Sequence, residues 1–80
     1  MSDLLIQAVD YALDDEWDLA HGIAQSTKNL YSNWIHAVLH KIEGDDSNSR
    51  YWYAQTDHEY DEFKDPLIEL SIIKKELLNK

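Results

Sequence analysis

Two histidines, His36 and His40, stand four residues apart in a stretch whose apolar spacing predicts a helix over 30–43. One helical turn separates them, so both imidazoles project from one face and can hold one metal ion together. A zinc protease signature also requires Glu directly after the first His, and here that residue is Ala37. A metal site would need a third ligand, for which Glu43, Asp45, His21 and His58 are available. Zinc or another divalent metal at His36 and His40 is therefore the one cofactor with any support, and the default expectation is none. The competing reading is a polar helix face whose histidines hydrogen-bond Asn33, Asn48 or Gln25 between helices. His21 and Gln25 are also four apart, one above the other, on the preceding predicted helix. Facing His36 and His40, they would make a cluster of imidazoles and amides beside Trp52, with protons exchanging near neutral pH. No nucleophile accompanies them. The serines fall in predicted caps and loops and G-x-S-x-G is absent, so an enzyme is not expected.

The second chemical feature is the run Tyr51-Trp52-Tyr53. Three consecutive helical residues span about 200° of the helix circumference, so the three rings cannot all face one core. Aromatics concentrate at the energetic centres of interfaces, and in small domains they also fill cores. His21, Gln25, His36, His40, Asn48, Tyr51 and Trp52 are the candidate binding residues, and His36 and His40 the candidate metal ligands.

Composition narrows the class. Eighty residues allow one small domain, residues 1–80, with modest burial unless the chain self-associates. Only two Gly and one Pro favour helices over a many-turned β fold. A net charge of −9, from 16 acids against 7 bases, argues against nucleic acid or an anionic membrane as partner. The acidic runs Asp14-Asp15-Glu16 and Asp57 to Asp65 read as solvated turns and caps, or as docking points for a basic peptide. No Cys is present, which removes disulfides, thiolate nucleophiles and Cys-based zinc sites. The start MSDLLIQAVD has no basic region and no long apolar core, and no apolar run approaches a membrane span of ~20 residues. A cytoplasmic, non-membrane protein is expected.

Five helices are needed to position these residues. The first runs to Leu13, capped by Ser2 or Asp3, with Leu5, Ala8, Val9 and Ala12 as its stripe. The second covers about 16–25, capped by Asp14 or Asp15, with Trp17, Ala20, Ile23 and Ala24 apolar. The third, 30–43, carries Tyr31, Trp34, Ile35, Val38 and Ile42 on one side. Asn33, His36, His40 and Glu43 fall on the other, and Gly44 ends the helix in the left-handed conformation. Asp45 or Asp46 caps the fourth, about 47–56. Tyr60 and Phe63 anchor an acidic loop or short helical turn. Asp65-Pro66 opens the last helix, about 66–79. It carries Leu67, Leu70, Ile73 and Leu77, a stripe widened by Ile68, Ile72 and Leu78, with Lys74, Lys75 and Lys80 toward the dipole's negative end.

The two hairpins, about 3–25 and 30–56, repeat at an offset of 30. Asp14 meets Gly44, Asp15 meets Asp45, Ala24 meets Ala54 and Gln25 meets Gln55, while Leu5 and Val9 meet Ile35 and Leu39. An apolar helix, an acidic or Gly turn and a second helix ending in aromatics and Ala resemble tetratricopeptide-type hairpins. That resemblance implies an all-α solenoid of two antiparallel hairpins with residues 66–79 as the capping helix. Separately, His36-Ala37-x-x-His40-x-x-Glu43-Gly44-Asp45-x-x-Asn48-x-x-Tyr51-Trp52-Tyr53 resembles a segment of a small bacterial protein family, with Asp15, His21 and Gln25 matching upstream. The chain departs from the pattern at Lys41-Ile42, and the resemblance implies no activity. The leading functional expectation is a non-catalytic protein-interaction module. Its groove would be lined by His36, His40, Asn48, Tyr51 and Trp52, and would hold a partner segment or a second copy through exposed aromatics or the last helix. The alternative is a metal- or small-ligand-binding protein, or an enzyme, centred on His21, His36 and His40.

Overall fold

The breaks between apolar stripes become the turns of the chain. A computed structural model describes residues 2–79 and shows an all-α fold. Its helices are α1 (Ser2–Leu13), α2 (Trp17–Ser26), α3 (Leu30–Glu43), α4 (Asp46–Tyr53) and α5 (Pro66–Leu78), with a 3-10 turn at Tyr60–Glu62. The side chain of Ser2, expected as a cap, and the whole of Lys80 lie outside what the structure describes, and Asp3 stands in the first turn of α1.

The ends of α3 show how local chemistry sets an element. Asn29 accepts from the Ser32 amide at 2.8 Å, and the Ser32 hydroxyl accepts from the Asn29 amide at 2.9 Å, a reciprocal cap that satisfies two free donors. At the far end Gly44 takes φ +84°. Its amide donates to the Lys41 carbonyl, and the Asp45 amide reaches back to the His40 carbonyl. The end of α1 is built the same way. Asp15 takes φ +64° and donates to the Ala12 carbonyl, while the Glu16 amide donates to the Tyr11 carbonyl.

This geometry corrects two expectations. Asp14 and Asp15 do not cap α2. Asp15 closes α1, and Glu16 occupies the cap position without a side-chain hydrogen bond. The repeat also has a different offset. The left-handed residues Asp15 and Gly44 are 29 positions apart, and so are the starts of α2 and α4. At that offset buried positions meet buried positions: Leu5 with Trp34, Ala8 with Ala37, Val9 with Val38, Ala20 with Ser49, Ala24 with Tyr53. An offset of 30 matches residue types at the hairpin ends, whereas 29 matches the turns and the core.

The core forms around α3, which packs against α1, α2, α4 and α5. Trp34, Ile35, Ala37, Val38 and Leu39 are buried with Leu5, Ala8 and Val9 of α1 and Leu70, Ile73 and Leu77 of α5. A helix enclosed on several sides cannot keep a solvated polar face. His36 and His40, expected on that face, are 4% and 8% exposed, while Ile42 from the predicted apolar stripe reaches solvent. On α4 the three rings divide as the helix geometry requires: Tyr53 is buried, Trp52 half-buried and Tyr51 exposed. The C-terminal helix uses less of its stripe than expected. Leu67, Ile68 and Leu78 remain largely exposed.

What fastens α5 is a charge inside that stripe. Glu69 is fully buried. Its carboxylate accepts from the Trp34 indole at 2.7 Å, the Tyr53 hydroxyl at 2.7 Å and the Lys41 ammonium at 2.8 Å. Lys41 also donates to the Phe63 carbonyl, which ties the loop before α5 to the same point. Burial, and then the Glu69 carboxylate, push the Tyr53 phenol far above its ordinary range. Tyr60 and Phe63 pack against the core, as expected of the anchors of this loop.

Candidate functional site

Three helix segments bring four aromatic rings into a ladder. Trp17 and His21, one turn apart on α2, stack at 4.6 Å between centroids. His21 meets His36 of α3 edge-on at 4.6 Å, and His36 stacks on Trp52 of α4 at 4.0 Å. His40, one turn below His36, closes the group at 4.9 Å from His36 and 5.3 Å from His21. Trp17 is held in place by its indole N–H, which donates to the Leu39 carbonyl at 2.7 Å. The ligating atoms of His21, His36 and His40 all lie within 4.8 Å of one another. The fold thus assembles the histidine cluster anticipated in the sequence and selects His21 as its third member.

Burial and neighbouring imidazoles disfavour the charged forms of His36 and His21. Burial, then His21 and His40, lower His36 to about 4. Burial, then His40, lower His21, with Glu43 and Asp18 opposing. The physical cause is common to both, since a cation here would lose water and face other imidazoles. His40 has a different neighbour. Its Nδ1 lies 2.6 Å from a Glu43 carboxylate oxygen, which orients the ring and leaves Nε2 for another partner. Neutral imidazoles so placed are acceptors and metal ligands.

Next to the ladder lies a groove of about 250 Å³ between the ends of α2 and α4 and the start of α3. Three amide-bearing residues line it, Gln25, Asn33 and Gln55, with Lys28 beside them. Tyr51 and Trp52 supply the aromatic wall, and His36 connects the groove to the ladder. Asn33 donates to the Gln55 carbonyl at 3.4 Å. Thr27 also lines the groove, and its hydroxyl oxygen is buried without a hydrogen-bond partner.

The sequence candidates therefore fall into groups. His36, Gln25, Tyr51 and Trp52 line the groove, and His21 and His40 complete the cluster beside it. Asn48 belongs to neither. Its amides bond the Asp45 carboxylate in the cap of α4, where they hold Asp45 below its usual range. His58 lies elsewhere, stacked on Trp34 at 3.7 Å and bonded to Glu62. The expected bonds from the histidines to Asn33, Asn48 or Gln25 are replaced by ring contacts and the Glu43 pair. Sequence reasoning missed Asn33, Gln55 and Lys28 as groove residues and Trp17 as a member of the ladder. The spacing Trp17-x-x-x-His21 was its available signal.

Compared with known proteins, the chain matches no family model, no curated protein and no solved structure. Among the described residues, no helix is long and apolar enough to cross a membrane.

Proposed function

We propose that this chain is a non-catalytic interaction module whose groove between α2, α3 and α4 holds a short extended peptide segment. The observation that carries this reading is the combination of Gln25, Asn33 and Gln55 amides with the Tyr51–Trp52 wall around one groove. A side-chain amide both donates and accepts, which matches the alternating N–H and C=O groups of a peptide backbone. Aromatic faces supply apolar contact at small entropic cost, as in the centres of protein interfaces. Lys28 at the rim favours a segment that carries a carboxylate, in contrast to the acidic surface elsewhere.

The test is a peptide-display selection on the wild-type protein, followed by binding to Tyr51→Ala and Gln55→Ala variants. Both side chains are exposed, so both variants keep the helical fold by circular dichroism. The expected result is a consensus segment whose affinity falls at least tenfold in each, about 1.4 kcal/mol. Failure to enrich a consensus, or equal binding to all three proteins, contradicts the groove reading.

A further inference from the structure

The histidine cluster asks for an explanation that the groove does not supply. Of its three rings only His36 lines the groove; His21 and His40 sit behind it, against Trp17. We infer that His21, His36 and His40 form a site for one divalent first-row transition ion, with Zn²⁺ the ion that best suits the donors. The inference stands on the cluster alone and is independent of the peptide reading.

Four observations support it. The donors come from two helices, one from α2 and two from successive turns of α3, so the backbone of a packed core fixes their spacing. Zinc bound by nitrogen at 2.0–2.1 Å places tetrahedral ligands roughly 3.3 Å apart. The observed separations, all within 4.8 Å, exceed that spacing by no more than about 1.5 Å. The second observation is Glu43. A ligating His typically gives its other ring nitrogen to a carboxylate, which sets the tautomer and raises the basicity of the ligating atom. His40 Nδ1 at 2.6 Å from Glu43 has that arrangement, and Nε2 is left for the metal. The third is the enclosure. Trp17 and Trp52 flank the cluster, and a low-polarity wall strengthens ion–ligand attraction.

The fourth is the donor chemistry. Three imidazoles suit Zn²⁺, Cu²⁺, Ni²⁺ or Co²⁺. Mg²⁺ and Ca²⁺ want oxygen donors, and no thiolate exists here for softer ions. Three protein ligands leave a coordination position open, the pattern of sites that keep a water or an exchangeable ligand. His40 also belongs to a second group with Glu43 and Asp45. There, however, Asp45 is occupied as the cap of α4 and by the Asn48 amide. The site is therefore the three-histidine one.

The experiment uses untagged, full-length protein stripped with chelator. Co²⁺ is titrated in while its visible d–d absorption is followed, and Zn²⁺ is then added to displace it. The expected result is one ion per chain with the strong bands of a low-coordinate site, displaced stoichiometrically by Zn²⁺. His58→Ala binds as the wild type does. Glu43→Gln weakens binding by about 10–100-fold, and His21→Ala weakens it more than Glu43→Gln. Should His21→Ala fail to fold, imidazole proton and nitrogen resonances of the wild type give the same answer. Zn²⁺ must shift those of His21, His36 and His40 and leave those of His58 in place. The inference is overturned by the absence of saturable binding to folded protein, by binding that survives His21→Ala unchanged, or by binding lost in Asp45→Asn and kept in His21→Ala.

Discussion

Glu69 ties α5 to α3 and α4 through one buried carboxylate. A carboxylate at 0% exposure is tolerated because three donors from α3 and α4 converge on it, one of them the Lys41 ammonium. Removing its charge leaves Lys41 buried without its counter-ion, a type of change that costs about 3–5 kcal/mol. That is a large share of the roughly 4–12 kcal/mol expected for a domain of this size. Glu69→Gln should therefore lower the urea midpoint severely or abolish cooperative unfolding, whereas Glu76→Gln on the same helix should stay within about 1 kcal/mol of the wild type. Denaturant titration of the two variants checks this. His36 makes the second prediction at this scale. In chelator-treated protein the folded state resists protonating His36 until about 4, while the unfolded chain protonates near 6.5. Stability is thus fully present above pH 6.5 and falls as pH drops from 6.5 toward 4, with the unfolded chain binding the extra proton. His36→Gln should flatten the thermal midpoint across that window. An unchanged slope would assign it to other groups.

At the scale of elements, much was legible and the failures share a cause. The span of α3, its stop at Gly44, the Asp65-Pro66 start of α5 and the division of the three α4 rings all follow from local signals: periodicity, caps and helix geometry. Which faces are covered depends on neighbours, and here the sequence misled. The polar side of α3 became interior because α2 and α4 close over it with rings of their own, Trp17, His21 and Trp52. The buried Glu69 was hidden for the same reason, since nothing in the order Ile68-Glu69-Leu70 says that three donors wait on other helices. Asp15 suits a cap by residue type, yet it adopts the left-handed conformation that glycine takes at the matching turn. The two turns give a paired prediction. Gly44→Ala places a Cβ where it is strained and should cost about 1 kcal/mol, while Asp15→Gly relieves strain and should gain up to about 1 kcal/mol. Calorimetric midpoints moving in opposite directions would support the shared turn geometry. Midpoints moving together would refute it.

For the whole molecule, two surfaces compete as the place of contact with other molecules. One is the groove of α2, α3 and α4, joined to the histidine cluster through His36. The other is the outer face of α5, where Leu67, Ile68 and Leu78 stay exposed. The groove offers amides, a cation and aromatic walls in one concavity, which is recognition chemistry. The α5 face offers scattered apolar side chains. Net charge disfavours self-association through the α5 face, because like-charged copies repel one another. On the proposed reading, the groove is the working surface. Amide chemical-shift mapping with a display-selected peptide tests it most directly. The shifts are expected to gather at Gln25, Lys28, Asn33, Tyr51, Trp52 and Gln55, with α5 unmoved. Shifts gathered instead at Leu67, Ile68 and Leu78 would contradict it.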